Sequence, residues 1–411
     1  KTKKIKLKKL NKMKKIYLII IIISTITSAQ TEYINQVLLL NEGCYDYSEQ
    51  IILDPPKVGS YDPLLNEYNT VVEIADARFA SDLMIDEGFF YVAADNKLLK
   101  YDLNTYEMVA SESIPGIRKI LIHNDYIFVS KGDYDPNTFG PVVFDSYLDI
   151  YTKSDLSFFL SFDSSTGPMW STENLLKKDN ILYVAINNGY EWGNEKGILG
   201  LVDLESLLYV NEIDLGENGR NPVNLLMRDN QIFTINNNSF DGSSISKIDI
   251  INLDVESVNL ENVNTGCGAS VVRGDDIYYQ ISSEDAVYKF NTSSLSQEGI
   301  VNNLDYNYYA FSKDNINNLL YASISNFISS SGIVIYNEDN EIVNTFFADV
   351  ATSKIIFDVR LNNNTSIDDS STEPIIINSV DLLWRQNSKN QGFKINIYNN
   401  ETIQKTFLIK K

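Results

Sequence analysis

Two cysteines, one histidine and a handful of arginines bound the chemistry open to this chain of 411 residues. Cys44 lies among acids and tyrosines in "NEGCYDYSEQ" (41–50), and Cys267 lies in "NTGCGAS" (264–270). Such a pair suits a disulfide, two buried thiols or a reactive thiol. A catalytic thiol needs a base, and the single histidine, His123, falls in the turn "LIHNDY" (121–126). Cys-His and Ser-His-Asp catalysis and histidine-rich zinc sites are therefore not expected. No P-loop, GxSxG elbow or HExxH motif occurs. Carboxylates are everywhere, so a carboxylate mechanism of the glycosidase kind stays open. In "DYDPNTFG" (133–140), Asp133, Asp135 and Asn137 stand at positions 1, 3 and 5, the spacing of a calcium loop. The glycine falls at position 8 and no glutamate occupies position 12, so a plain turn competes with that reading. The other candidates are Arg78 with Phe79, Arg118, Trp170, Arg220 with Asn221, and Tyr308. Tyr45, Tyr190 and Trp192 join them from loops. Guanidinium groups and aromatic faces together suit anionic, aromatic or sugar-like ligands. These residues are far apart in the chain, so only the fold can assemble them.

The chain repeats. An apolar pair, a polar turn and an aromatic-rich strand recur as "LMIDEGFFYVA" (83–93), "LIHNDYIFVS" (121–130) and "LLKKDNILYVA" (175–185). They return as "LMRDNQIFTI" (226–235), "VVRGDDIYYQI" (271–281) and "AFSKDNINNLLYASI" (310–324). A second strand pair with a polar turn follows each. Apolar residues alternate, as half-buried antiparallel strands require, and amphipathic helix patterns are absent. Four short strands per unit, at a spacing of about 37–55 residues, predict the blades of a β-propeller. Six blades fit within 79–347. A seventh is split: "QVLLLNEG" and "KVGSYDPLLNEYNTVVEI" supply strands B, C and D, and "ATSKIIFDVR" (351–360) supplies the innermost strand A. The expectation is an all-β, seven-bladed propeller closed by a C-terminal strand. Its strand-A starts and B–C loops would form one rim, carrying the arginines and aromatics named above, with Cys44 and Cys267 on that rim two blades apart. In an exported chain with two cysteines, pairing is the expected state.

The split seven-unit pattern, with strand pairs such as "VGSYDPLLNEYNTVVEI", resembles secreted YncE-like or YVTN-type propellers of Bacteroidetes over residues 35–360. That resemblance is specific to fold more than to activity. After a polar linker (361–374), residues 375–411 read as a small β tail. Within it, "GFKINIYNNETIQKTFLIKK" resembles the last strands of a type IX secretion sorting domain, although short and without the usual Pro-Asn-Pro lead-in. This resemblance implies outer-membrane translocation, tail removal, and release or surface attachment.

The N-terminal stretch "MKKIYLIIIIISTITSAQ" reads as a secretory signal: Lys14 and Lys15, an apolar core over 16–23, and a small-x-small site at Thr27 and Ala29. Residues 1–29 would be removed, with Met13 as the start and 1–12 as translated upstream sequence. Lys1–Gln30 holds nine lysines and no acid, which leaves 25 basic against 55 acidic residues beyond it. Such a surface repels nucleic acid and anionic membranes. No later run is apolar enough to span a bilayer. The expected function is a secreted or cell-surface, monomeric, non-catalytic module that binds a ligand, glycan or surface protein at the channel rim. No cofactor beyond that calcium is expected. An extracellular lyase, lactonase or glycosidase is the alternative.

Overall fold

The computed structural model describes residues 31–136, 138–187, 193–238, 242–260, 263–266, 268–282 and 284–362, and the backbone of 376–380, 392–398 and 403–408. The signal-peptide expectation falls on residues outside these, as does the linker expectation beyond Asn362, while Leu361 ends a strand. The chain divides into two compact units, one of which is Tyr33–Arg360. The other holds a three-stranded antiparallel sheet of Ile376–Val380, Gly392–Tyr398 and Ile403–Leu408. No helix among the described residues is long and apolar enough to cross a membrane.

Tyr33–Arg360 is a seven-bladed β-propeller, each blade a four-stranded antiparallel sheet. Blade 1 comprises Ala80–Asp86, Phe89–Ala94, Lys97–Asp102 and Met108–Ser113, strands A to D. Blades 2 to 6 begin with strands A at Ile117–His123, Thr172–Lys178, Pro222–Arg228, Ser270–Arg273 and Tyr308–Asp314. Blade 7 is the split one, in the order Thr352–Leu361, Glu32–Asn41, Lys57–Asp62, Glu67–Glu73. Closure therefore uses residues more than 300 positions apart: Asn35 donates to the Asp358 carboxylate at 2.9 Å, and Thr352 Oγ1 to Asn41 Oδ1 at 2.5 Å.

The core lies between blades. Seven buried clusters occur, one at each contact of neighbouring blades around the ring. Strand B of blade 1 shows how. Phe90, Val92 and Ala94 join the cluster shared with blade 7, while Tyr91 and Ala93 join the one shared with blade 2. All five are fully buried. Strand B thus reads as a continuous apolar run rather than the half-buried alternation expected from the sequence, because both its faces are covered. Strand D shows the opposite extreme, with Met108 and Val109 largely exposed on the outside.

Many of the acids have a local structural task. Strand C ends in Asp or Asn in five blades, and the side chain accepts N–H groups of the C–D turn. Asp62 takes those of Leu64 and Leu65, Asp203 those of Glu205 and Ser206, and Asn291 those of Ser293 and Ser294. The turn then needs a left-handed residue, supplied at Asn66, Leu207 and Leu295. This Asx turn is the physical content of the repeated "YD", "VD" and "FN" at these points. It removes Asp62, Asp102, Asp203 and Asp249 from any list of ligand-binding candidates.

Candidate functional site

Strand A of five blades carries a register shift within its first residues, between Ala80 and Asp82, Ile117 and Ile120, Thr172 and Leu175, Pro222 and Asn224, and Tyr308 and Ala310. A bulge inserts one extra residue and re-aims its side chain. The residues inside these bulges are Ser81, Arg118 with Lys119, Glu173 with Asn174, Val223 and Tyr309. The same local irregularity thus presents different side chains in each of these five blades.

On one arc these side chains enclose a cavity of about 390 Å³. Its walls are Glu42 and Tyr47 of blade 7; Arg78, Phe79, Ser81 and Asp95 of blade 1; Arg118, Lys119, Asp133 and Tyr134 of blade 2; and Glu173 of blade 3. The cavity roof is a small antiparallel hairpin, Cys44–Asp46 paired with Ile51–Asp54, inserted between strands B and C of blade 7. The hairpin leaves the blade at Gly43, whose backbone is left-handed and whose added Cβ would collide with the Asp54 carbonyl. Only glycine fits there. Backbone hydrogen bonds from Glu42 and Gly43 to Ala351 and Val350, at 2.9 and 3.1 Å, fasten the base.

The charged groups of the cavity are largely matched. Arg78 Nε donates to Asp95 at 3.0 Å and its Nη2 at 2.5 Å, a two-pronged contact that raises the guanidinium pKa. Its guanidinium carbon stands 5.6 Å from the Phe79 ring centre and 5.9 Å from that of Tyr45. Tyr45 meets Tyr47 edge to face at 5.0 Å. Arg118 pairs with Glu173. Lys119 Nζ donates to the Ser81 carbonyl at 2.6 Å. Glu42 Oε2 accepts the Tyr309 hydroxyl at 2.9 Å. Burial pushes the Glu42 carboxyl above its ordinary value, against the opposing pull of Ser353, Tyr309 and Lys119.

Of the residues expected on the rim, Arg78, Phe79 and Arg118 line this cavity, and Tyr45 supports it from the hairpin. Trp170 instead packs against the core between blades 2 and 3. Tyr308 is fully buried, its hydroxyl 2.6 Å from that of Tyr336 in the core between blades 5 and 6. Both are packing residues. Arg220 lies 3.9 Å from Glu195, away from the cavity, and Asn221 is buried with a left-handed backbone and a bond to the Lys196 carbonyl. Tyr190 and Trp192 lie outside the described residues. So does Cys267, whereas Cys44 is a free, half-buried thiol, so no bridge between them is seen.

Of the calcium-loop residues, Asp133 lines the cavity, accepting the Tyr134 N–H at 2.8 Å, and Asp135 holds its loop through backbone bonds to Gly140 and Phe139. Asn137 lies outside the described residues. Among the described residues no group of three or more His, Cys, Asp or Glu is placed to hold a metal. His123 is at the far end of strand A, with Lys177 Nζ 2.9 Å from Nδ1; burial and that lysine lower its pKa. Sequence reasoning missed Lys119, Glu173 and Asp95. Aligning the repeats on the start of strand A would have marked the first two, which occupy the same step as Arg118.

No family model and no curated protein matches the chain. Among solved structures, the X-ray structure of a hypothetical selenium-binding protein from Sulfolobus tokodaii is similar, with a TM-score of 0.53 and 11% identity. The match covers 80% of this chain and 94% of that one. At that identity the likeness shows a shared fold and nothing about ligands.

Proposed function

We propose that this chain is an exported propeller that works as a non-catalytic binding module, and that the roofed cavity of blades 7, 1, 2 and 3 takes a neutral, sugar-like ligand. The observation that carries the reading is charge matching within a cavity that also has aromatic walls. Arg78 and Arg118 each face a carboxylate already. An anion would have to compete with Asp95 and Glu173. Hydroxyl groups need only the remaining donors and lone pairs of such fixed pairs, and Phe79, Tyr47 and Tyr134 offer faces for stacking. The volume falls within the ~300–1,000 Å³ usual for small-molecule sites. Export, surface display and the sorting role of the tail belong to the same proposal, and rest on the N-terminal and C-terminal sequence patterns.

The test is a glycan array, followed by calorimetry with the best neutral sugar, on wild type and Phe79→Ala. Loss of one stacking face should weaken binding about tenfold, as ~1.5 kcal/mol of aromatic contact predicts. Retention of only acidic glycans, or unchanged affinity in Phe79→Ala with an unaltered melting temperature, would sink the assignment. A second reading, glycoside cleavage or elimination at this cavity, draws on the protonated state that burial favours for Glu42. Release of reducing sugar from the bound glycan, abolished by Glu42→Gln, would decide for it.

A further inference from the structure

Beneath the roofed cavity, the axial channel holds a second and chemically different space. It measures about 260 Å³ and shares Lys119 with the cavity above. Its polar end is built from three blades: Asp82 from blade 1, Lys119 from blade 2 and Lys354 from blade 7. Asp82 is almost wholly buried, and its carboxylate receives the Lys354 ammonium at 2.9 Å and the Ile120 N–H at 3.0 Å. Lys354 and Lys119 both bear on this one carboxylate, and it stays below the ordinary carboxylate range despite burial. Lys119 also bears on Glu42 in the cavity above, whose carboxyl burial raises above its ordinary value. Arg118 and Glu173, just above, cancel each other. Of the side chains lining this space, two lysines stand against one carboxylate. Apart from Asn174, whose amide donates to the Val223 carbonyl at 2.7 Å, the rest of the wall is apolar: Leu175, Ile356 and Phe357 are among its half-buried side chains. These groups cover part of a channel yet keep exposed apolar surface toward it, and Lys354 keeps 40% of its side chain accessible.

We propose that the channel is a binding site for an organic monocarboxylate, its head between Lys119 and Lys354 and its apolar body against Leu175, Ile356 and Phe357. The second lysine selects a single negative charge, and the apolar wall rejects small inorganic anions that would leave it wet. Within a strongly acidic protein, long-range potential opposes anions. Selection must therefore come from these short-range contacts, which salt screens far less. The proposal is independent of the sugar reading of the cavity above.

The experiment is a calorimetric titration of the whole chain with hexanoate, with benzoate as a second carboxylate, and with hexanol and chloride as controls. Hexanoate or benzoate should bind at least tenfold more tightly than hexanol, and chloride should not compete. Lys354→Met should lower hexanoate affinity at least tenfold. Asp82→Asn, which removes the competing carboxylate but keeps an acceptor for the Ile120 N–H, should raise it. The second variant keeps the test informative if the first fails to fold. Equal binding of hexanol and hexanoate, no binding of either carboxylate, or weakened binding in Asp82→Asn would overturn the proposal.

Discussion

The two halves of the rim use one backbone device for different ends. From blade 1 to blade 3, the strand-A bulges present Ser81, Arg118, Lys119 and Glu173, and these line a cavity. In blades 4 and 6 the same step presents Val223 and Tyr309, and the register of blade 5 runs without a shift. The blades behind differ in the same sense. Blade 2 buries the Lys131–Asp149 ion pair at 2.9 Å, with Ser161 donating to Asp149 at 2.5 Å. Blade 4 buries a neutral ladder: Thr234 donates to Asn236, which donates to Ser244 and Ser246 at 2.9 and 2.8 Å. A neutral ladder satisfied within its own blade asks nothing of a ligand. The charged arc spans blade boundaries and faces open space. Repetition therefore specifies the scaffold, and departure from repetition specifies the site.

The sharpest way to break this contrast is energetic. Lys131→Met leaves Asp149 buried without its cation and should cost ~3–5 kcal/mol. Asn236→Ala in the neutral ladder should cost ~1–3 kcal/mol. Urea unfolding of both variants measures the difference, and equal costs would erase the distinction between the arcs. Next in size is binding. Arg118→Gln should weaken sugar binding about tenfold, some 1.4 kcal/mol, while Asn224→Ala leaves it unchanged; the same calorimetry reads both.

Two smaller effects depend on pH. Because the folded Glu42 carboxyl titrates above its ordinary value of 4.5, the native state keeps a proton that the unfolded chain has released. Wild-type stability should decline as pH rises from that value through the raised one. Glu42→Gln removes this decline, so its melting temperature should gain on wild type as pH rises above 4.5. Asp155 has the opposite sign. The Thr152 hydroxyl, then the Ser157 N–H and hydroxyl, hold its carboxyl down at about 2. Its contribution is complete above the ordinary aspartate range and disappears as pH falls through about 2. Asp155→Asn should give a slightly flatter acid limb in thermal melts between pH 4 and pH 2.

The scaffold was readable because its signals are periodic. The apolar strand B, the Asp or Asn at the end of strand C and the orphan strand at 351–360 recur or complete a count. The site was readable in part. Arg78, Phe79 and Arg118 were found from their position at strand starts, a rule that also picked Trp170 and Tyr308. Strand-start position alone does not say whether a side chain faces space or core, and the bulges that re-aim Arg118, Lys119 and Glu173 leave no pattern in apolar alternation. Trp170 and Tyr308 precede or begin their strands and turn into the core, whereas Arg118 and Tyr309 sit within the bulges. Lys119, Asp82 and Lys354 went unremarked because each looks like an ordinary strand residue until the ring brings three blades together.

The split blade has a consequence for timing. Strand B of blade 7 is among the first parts of the propeller to be made, and its inner neighbour, Thr352–Leu361, is the last. Until that strand arrives, Glu32–Asn41 has one uncovered edge, and the fully buried Val37, Leu38, Leu39 and Leu40 lack part of their cover. Contacts over more than 300 residues form slowly. A chain made from its N-terminus thus keeps the ring open, and the two clusters flanking blade 7 incomplete, through almost its whole synthesis. The ring then locks in a single late step, so a chain lacking Thr352–Leu361 should be captured by proteases or holding factors rather than accumulate as a six-bladed remnant.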